Sequence, residues 1–235
     1  MLLLTFVMML LCRRRRQGSL TDCFFLFYLV YVPPAPADLK TCRALADVGF
    51  VVDSSGSLRN DYGKEKTFVK SLADRLGISS AGSHAGIVLF SDRAEVRMKF
   101  SEKNDAVEFN RAVDELPLFG KTTRIDKALE LAHGTLFRPE NGLRTDVPQL
   151  LIVLTDGAQT AAADAVAPSE AMLPFHESGT KVVVIGIGSG VKKDELRSMV
   201  KSKDDLYLAK DFSQLISSQF IDDITAASCQ PGRIN

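Results

Sequence analysis

The chain has 235 residues, 46% of them hydrophobic and 25% charged, as expected of a globular protein with a real core. Lys plus Arg and Asp plus Glu both number 29, so no basic excess points to a nucleic-acid partner. At roughly 100–200 residues per domain, this length fits one domain with extra segments.

Residues 1–37 differ from the rest. Met1–Leu11 is apolar, Arg13–Arg16 is a basic block, Cys23–Val32 is apolar and aromatic, and Ala35-Pro36-Ala37 follows. A basic block, a short apolar run and small residues are the three parts of a secretory signal peptide. The apolar run is about half the roughly 20 residues a spanning helix needs, so no stable membrane span is expected. A signal anchor or a wrongly chosen start codon is the alternative. Residues 38–235 then form a single domain with 25 basic and 28 acidic residues, a net charge of −3. Of four cysteines, Cys12 and Cys23 fall in the leader, while Cys42 and Cys229 bracket the remainder. In a secreted chain that even pair reads as a Cys42–Cys229 disulfide, and chain entropy would make such a long loop worth about 4–5 kcal/mol. Two free thiols are the alternative.

Beyond the leader, residues 45–53 (LADVGFVVD) read as a buried strand that stops at an acid. Tyr62, Phe68, Val69, Leu72 and Leu76 recur at helical spacing over 61–76, and Gly77 ends that helix. Residues 84–91 and 94–100 are two strands joined by a short hairpin link. Residues 104–115 form a short helix, and 123–137 a strongly amphipathic one. The run 147–157 is the most apolar strand. A helix over 169–179 follows the loop 160–168, whose TAAADAVAP composition predicts flexibility. Strand 180–190, helix 192–200, strand 205–209 and helix 211–227 complete the chain. Strands alternate with helices and are apolar throughout, so both sheet faces are covered. The predicted fold is a doubly wound α/β domain: a mostly parallel sheet with one antiparallel edge strand.

In such sheets ligands bind beyond the carboxyl ends of the strands. Two candidate loops there open with an acid, VVD-SSGS and IVLTD-G, and a third segment, GKTTRIDKAL (120–129), brings threonines ahead of a helix. Asp53, Ser55, Ser57, a threonine (Thr123 or Thr122) and Asp156 form a hard-oxygen set without thiol or imidazole. Such donors suit Mg²⁺ or Mn²⁺, with Ca²⁺ also open, and not zinc. If the backbone stays extended past Asp53, alternation turns Asp53, Ser55 and Ser57 to one side. An Asp-and-Ser turn that merely caps the next helix is the competing reading. Gly186-x-Gly188-x-Gly190 lacks the spacing and the lysine of a phosphate loop and reads as a tight turn. His84, His133 and His176 are scattered.

D-x-S-x-S after the first strand, a threonine before an amphipathic helix, and L-T-D-G after the central strand together resemble the von Willebrand factor type A domain. The resemblance covers 45–227 and is greatest to extracellular-matrix A domains of the collagen VI and matrilin kind, where a flanking cysteine pair is also typical. It implies a metal-ion-dependent adhesion site with Asp53, Ser55, Ser57, Thr123 and Asp156 as ligands. A Glu or Asp of a partner protein would complete the shell. Thr123 is preferred over Thr122 because the family places the metal threonine six residues before the leucine that is Leu129 here. The family's second threonine is replaced by Ile125, and the span after Ile187 leaves no room for the extra helix of collagen-binding integrin inserts. The resemblance implies a secreted, non-enzymatic matrix protein that binds another matrix protein, collagen-like or other, and that self-associates if it is to bridge two partners. A metal-independent scaffold is the second reading. A metal-dependent hydrolase is the third, and the histidines and acid pair such chemistry requires are missing from the motifs.

Overall fold

The protein was analysed as a computed structural model that describes residues 4–13, 22–31, 45–102 and 105–229. It divides into two units, residues 1–38 and 39–235. In the first, β1 (Leu4–Arg13) and β2 (Asp22–Tyr31) pair antiparallel, with Leu4 opposite Tyr31 and Arg13 opposite Asp22.

The second unit runs β3 (Asp47–Asp53), α1 (Tyr62–Leu76), β4 (His84–Phe90), β5 (Ala94–Met98), α2 (Ala106–Asp114), α3 (Ile125–Leu131), β6 (Gln149–Thr155), α4 (Pro168–Glu177), β7 (Lys181–Ile187), α5 (Lys193–Ser198), β8 (Leu206–Ala209), α6 (Phe212–Leu215) and α7 (Ser218–Ser228). Its sheet has six strands in the order β5-β4-β3-β6-β7-β8, and only β5 is antiparallel. The doubly wound, mostly parallel architecture expected from the alternation of elements is therefore present. Strand order reverses at β3, which pairs with β4 on one side and β6 on the other. Ligand sites in open α/β sheets lie at such a point.

The two-residue period of each strand divides the core. Val48, Phe50 and Val52 of β3 join Leu150, Ile152 and Leu154 of β6 under α1, α2 and α7. Val51, Leu151 and Val153 face the other way, against α3, α4 and α5. On that second face Gly49 sits opposite Gly86 in register. A Cβ on Gly49 would come within 2.3 Å of the Phe137 ring, and one on Gly86 within 2.6 Å of Leu136. Two glycines side by side thus make the hollow into which the chain after α3 packs.

Two predicted helices are shorter in the structure. The stretch 123–137 is helical only from Ile125, because the Thr123 and Arg124 peptides bond to other loops, and it passes into a π turn at Ala132–Leu136. The stretch 211–227 splits at Ile216, because both Asp211 and Ser217 act as N-caps and each starts its own helix. Cys229, at the end of α7, is disulfide-bonded; its expected partner Cys42 lies outside the described residues, as do residues 1–3, 14–21 and 32–37 of the proposed leader.

At the amino-terminal pole of the sheet, Asp47 is fully buried. Its carboxylate accepts from the Arg144 backbone N–H at 2.6 Å, from Nε at 2.9 Å and from Nη2 at 2.6 Å. Arg144 Nη1 also donates to the Gly82 carbonyl at 3.2 Å, which ties three segments together. Removing one partner of a buried pair leaves the other charge uncompensated. Arg144→Ala is expected to cost about 3 kcal/mol of stability by urea denaturation; a loss below about 1 kcal/mol would show that the pair is not holding this pole.

Candidate metal centre

At the opposite pole β3 ends at Asp53, and the backbone turns two residues later. Ser55 is still extended (φ −70°, ψ 172°), and a 3₁₀ turn occupies Gly56–Asn60. Alternation along an extended strand is therefore not what gathers the side chains; the turn does it. Ser55 makes no side-chain cap to that turn, and Asp61 makes none to α1. The helix-capping reading of the motif has no hydrogen bond to support it.

The three serines divide their work. Ser54 is buried and sends both its N–H (2.7 Å) and its hydroxyl (2.8 Å) to the Phe90 carbonyl at the end of β4. Ser55 Oγ and Ser57 Oγ lie 3.0 Å apart, and Ser57 Oγ donates to Asp156 Oδ1 at 2.7 Å. Asp53 Oδ1 accepts from the Ser55 N–H at 2.8 Å, and Oδ2 accepts from Thr155 Oγ1 at 2.7 Å. Thr123 is buried, with its Oγ1 only 3.3 Å from where a Cβ on Gly157 would stand. Thr122 is exposed, and its carbonyl accepts from Ser91 Oγ at 2.8 Å. All five candidate donors lie on the loops at the carboxyl ends of β3 and β6 or on the turn before α3. Thr123, not Thr122, is the threonine turned into this region.

The three segments are held by backbone bonds. Gly56 N–H donates to Lys121 O at 2.9 Å, and Gly120 N–H to Ser54 O at 2.9 Å. A Cβ on Gly56 would press to 3.0 Å from the Gly120 carbonyl. Ser91, at the end of β4, accepts from Lys121 N–H at 3.1 Å through its hydroxyl and from Arg124 N–H at 2.8 Å through its carbonyl. Gly190 lets the turn after β7 pass close to Asp156, whose carbonyl would be 2.5 Å from an added Cβ. With Gly188 at φ 75°, this segment is the tight turn expected.

Burial pushes the Asp53 carboxyl up to about 6, with the Asp156 charge adding to the rise and the bonds from Thr155 and Ser55 opposing it. Asp156 is also raised, again first by burial. Asp47 and Asp126, buried elsewhere, are each paired with an arginine; no such partner meets Asp53 or Asp156 among the described residues. Two acids lacking a counter-charge, set among hydroxyls, fit a hard divalent cation. Among the described residues no three His, Cys, Asp or Glu side chains gather into a site.

The motif reading misses two residues. Thr155 orients Asp53, and its hydroxyl also meets the Gly157 N–H at 3.2 Å. Glu65, on α1, is fully buried, and neither carboxylate oxygen has a hydrogen-bond partner. Burial pushes it well above the usual carboxylate range, and the charges of Asp53 and Asp156 push it further, with only the backbone of Asp53 opposing. The signal was its position: 62, 65, 69, 72 and 76 form the buried stripe of the helix.

A family model for the von Willebrand factor type A domain matches residues 47–222. The human collagen alpha-6(VI) chain is 28% identical over 195 residues, 82% of this chain and 8% of that one. Matrilin-1 of Gallus gallus is 27% identical over 171 residues, 69% of this chain and 33% of that one. Among solved structures, proximal thread matrix protein 1 from the mussel byssus, with a zinc-occupied MIDAS motif, superposes with a TM-score of 0.72 at 27% identity. That match covers 82% of this chain and 48% of the mussel chain, so this chain spans half or less of each of these proteins.

A carboxyl whose pKa is raised by folding holds its proton more tightly when folded, so its contribution to stability is lost as pH rises from the unfolded value towards the folded one. In EDTA, Glu65→Leu should gain about 2 kcal/mol at neutral pH and lose less stability than wild type between pH 5 and pH 8. Urea titrations at the two pH values measure both. A variant less stable than wild type at pH 8 would contradict the reading of Glu65 as an uncompensated acid.

Proposed function

The chain belongs to the von Willebrand factor type A family, and from that membership we propose that it is a secreted, non-enzymatic matrix protein that binds a protein ligand through a divalent cation. One observation carries this reading: Asp53 and Asp156 stand beside the Ser55 and Ser57 hydroxyls with no basic partner among the described residues. Asp53, Ser55, Ser57, Thr123 and Asp156 would hold the ion. The donor set favours Mg²⁺ or Mn²⁺, with Ca²⁺ open. The zinc named for the mussel protein makes Zn²⁺ a further ion to test. Bound there, a cation supplies a Lewis-acidic docking point. Three of the five donors are neutral hydroxyls, so the ion would stay electrophilic and keep a position open for an acidic side chain of the partner.

The chain's own residues do the rest. Thr155 holds Asp53 from beneath. Ser54 and Ser91 fix the loops through backbone carbonyls and amides, so the hydroxyls need little reorganisation when the ion arrives. The histidines lie away from the donor set: His84 opens β4 opposite Asp47 at the other pole, His133 packs edge-on against Phe175, and His176 contacts the Met199 carbonyl. The relatives are named as collagen, cuticlin and matrilin, which supports an extracellular-matrix setting and a matrix protein as partner. The Cys42–Cys229 disulfide belongs to the same proposal, and Cys229 is indeed bonded.

A thermal-shift titration tests the site. Mg²⁺ or Mn²⁺ at a hundred times its Kd should add about 2.7 kcal/mol of stability, and Asp53→Ala should abolish the response. No response in wild type to Mg²⁺, Mn²⁺, Ca²⁺ or Zn²⁺ would remove the metal claim. Capture of a matrix-extract protein by wild type should be lost in EDTA and in Asp53→Ala; capture that persists in EDTA would select the metal-independent scaffold instead.

A further inference from the structure

The loop between β6 and α4 reads from composition as a flexible run of alanines, yet the structure stitches it to the turn that carries Thr123. Thr160 N–H donates to the Thr123 carbonyl at 2.8 Å, and Thr123 N–H donates to Thr160 Oγ1 at 3.2 Å. Asp126 N–H donates to Gln159 Oε1 at 2.8 Å, and Val166 N–H donates to Asp126 Oδ2 at 3.1 Å. The centre of the network is Arg124. Its Nε and Nη2 fork onto Asp126 Oδ1 (2.9 Å) and Oδ2 (2.7 Å), while Nη1 reaches Asp164 Oδ1 at 2.9 Å. Nη2 also meets the Asp164 carbonyl at 3.3 Å.

The burial of this cluster is uneven in an informative way. The Arg124 and Asp126 side chains are 7% and 5% exposed, whereas Asp164 is 66% exposed. The Arg124–Asp126 fork is made within one turn and would form whatever the loop did. Asp164 is the loop's own contribution, closing over the guanidinium from outside. A guanidinium cannot shed its charge, so burying it is favourable only while its acceptors stay in place. The donors at stake flank the network: Thr123 precedes Arg124 in the chain, and Asp156 precedes the loop.

We propose that Arg124 is a positioning residue for the cation site: through Asp126 and Asp164 it locks the loop after Asp156 onto the Thr123 turn, so that donors from separate segments keep a fixed spacing. This rests on the cation-binding reading above. Arg124 contributes no donor itself; it sets how much the apo site must rearrange to accept an ion.

The test uses the full chain and Mn²⁺ alone as probe, with isothermal titration for affinity and hydrogen exchange in EDTA for the loop. Asp164→Ala removes only the exposed closing acid, so the domain stays folded. Its Mn²⁺ affinity should fall about tenfold, the lower end for residues that orient metal ligands, and the Thr160 and Val166 amides should exchange faster. Asp164→Asn keeps an acceptor for Nη1 and should retain most of the affinity. Arg124→Lys keeps the charge, loses the fork and should bind as weakly as Asp164→Ala. Wild-type affinity in Asp164→Ala would overturn the inference while leaving the cation site standing. Equal losses in the Asn and Ala variants would also overturn it, since surface charge alone would then explain the effect. If wild type takes up neither Mn²⁺ nor, in the same titration, Mg²⁺, Ca²⁺ or Zn²⁺, the cation reading itself fails and this inference fails with it.

Discussion

Asp53 ends the central strand fully buried, flanked by strands on both sides, and no basic side chain of the described chain neutralises it. The other end of the same strand shows that the fold is able to do so. Asp47 is equally buried, yet Arg144 meets it with a bidentate fork and a backbone N–H. A buried charge without partner costs several kcal/mol or drives the group to hold a proton, and Asp53 is pushed upward accordingly. One strand thus has a compensated pole and an uncompensated one. The uncompensated pole coincides with the reversal of strand order, where neighbouring helices diverge and leave an opening.

The hydroxyl-rich motif becomes intelligible around that constraint. Ser54, Ser55 and Ser57 look interchangeable as residue types, but Ser54 is consumed by the Phe90 carbonyl. The other two make only the weak mutual bond and the bond to Asp156. Ser91, which belongs to no motif, anchors the Thr123 turn through both its hydroxyl and its carbonyl. Rigid structural bonds therefore lie beneath, and exchangeable hydroxyl contacts lie above. A site that gains a ligand with little reorganisation needs that division.

Much of this was legible in residue order. Apolar strands alternating with helices predict the sheet, and its one antiparallel strand follows from the short link between Phe90 and Ala94. The five candidate donors sit on the expected loops because strand ends are marked by Asp53 and Thr155-Asp156. What was not legible depends on contacts between distant segments. The helix before Phe137 begins at Ile125 only because Thr160 and Ser91 take the peptides of Thr123 and Arg124. The alanine-rich loop reads as flexible because composition does not reveal that Asp164 and Gln159 reach back to Arg124 and Asp126. Asp53, Ser55 and Ser57 share one region because a 3₁₀ turn, and not strand alternation, brings Ser57 inward.

Glu65 is the acid on the buried side of α1. A charged residue on the buried stripe of α1, between Tyr62 and Phe68, breaks the pattern that otherwise defines the helix. An apolar side chain there would stabilise the fold, because two unpartnered carboxylate oxygens in the core lose their hydration with nothing in return. The field that penalises Glu65 comes from Asp53 and Asp156, the same two acids that lack a counter-charge. A cation at the donor set would cancel that field at its source, which lightens the penalty on Glu65 without touching it. Burial thus raises Asp53, Asp156 and Glu65 alike, and the charge of Asp156 adds to the rise of the other two. Acids held without a counter-charge lower the stability of this pole, a cost that functional sites commonly carry.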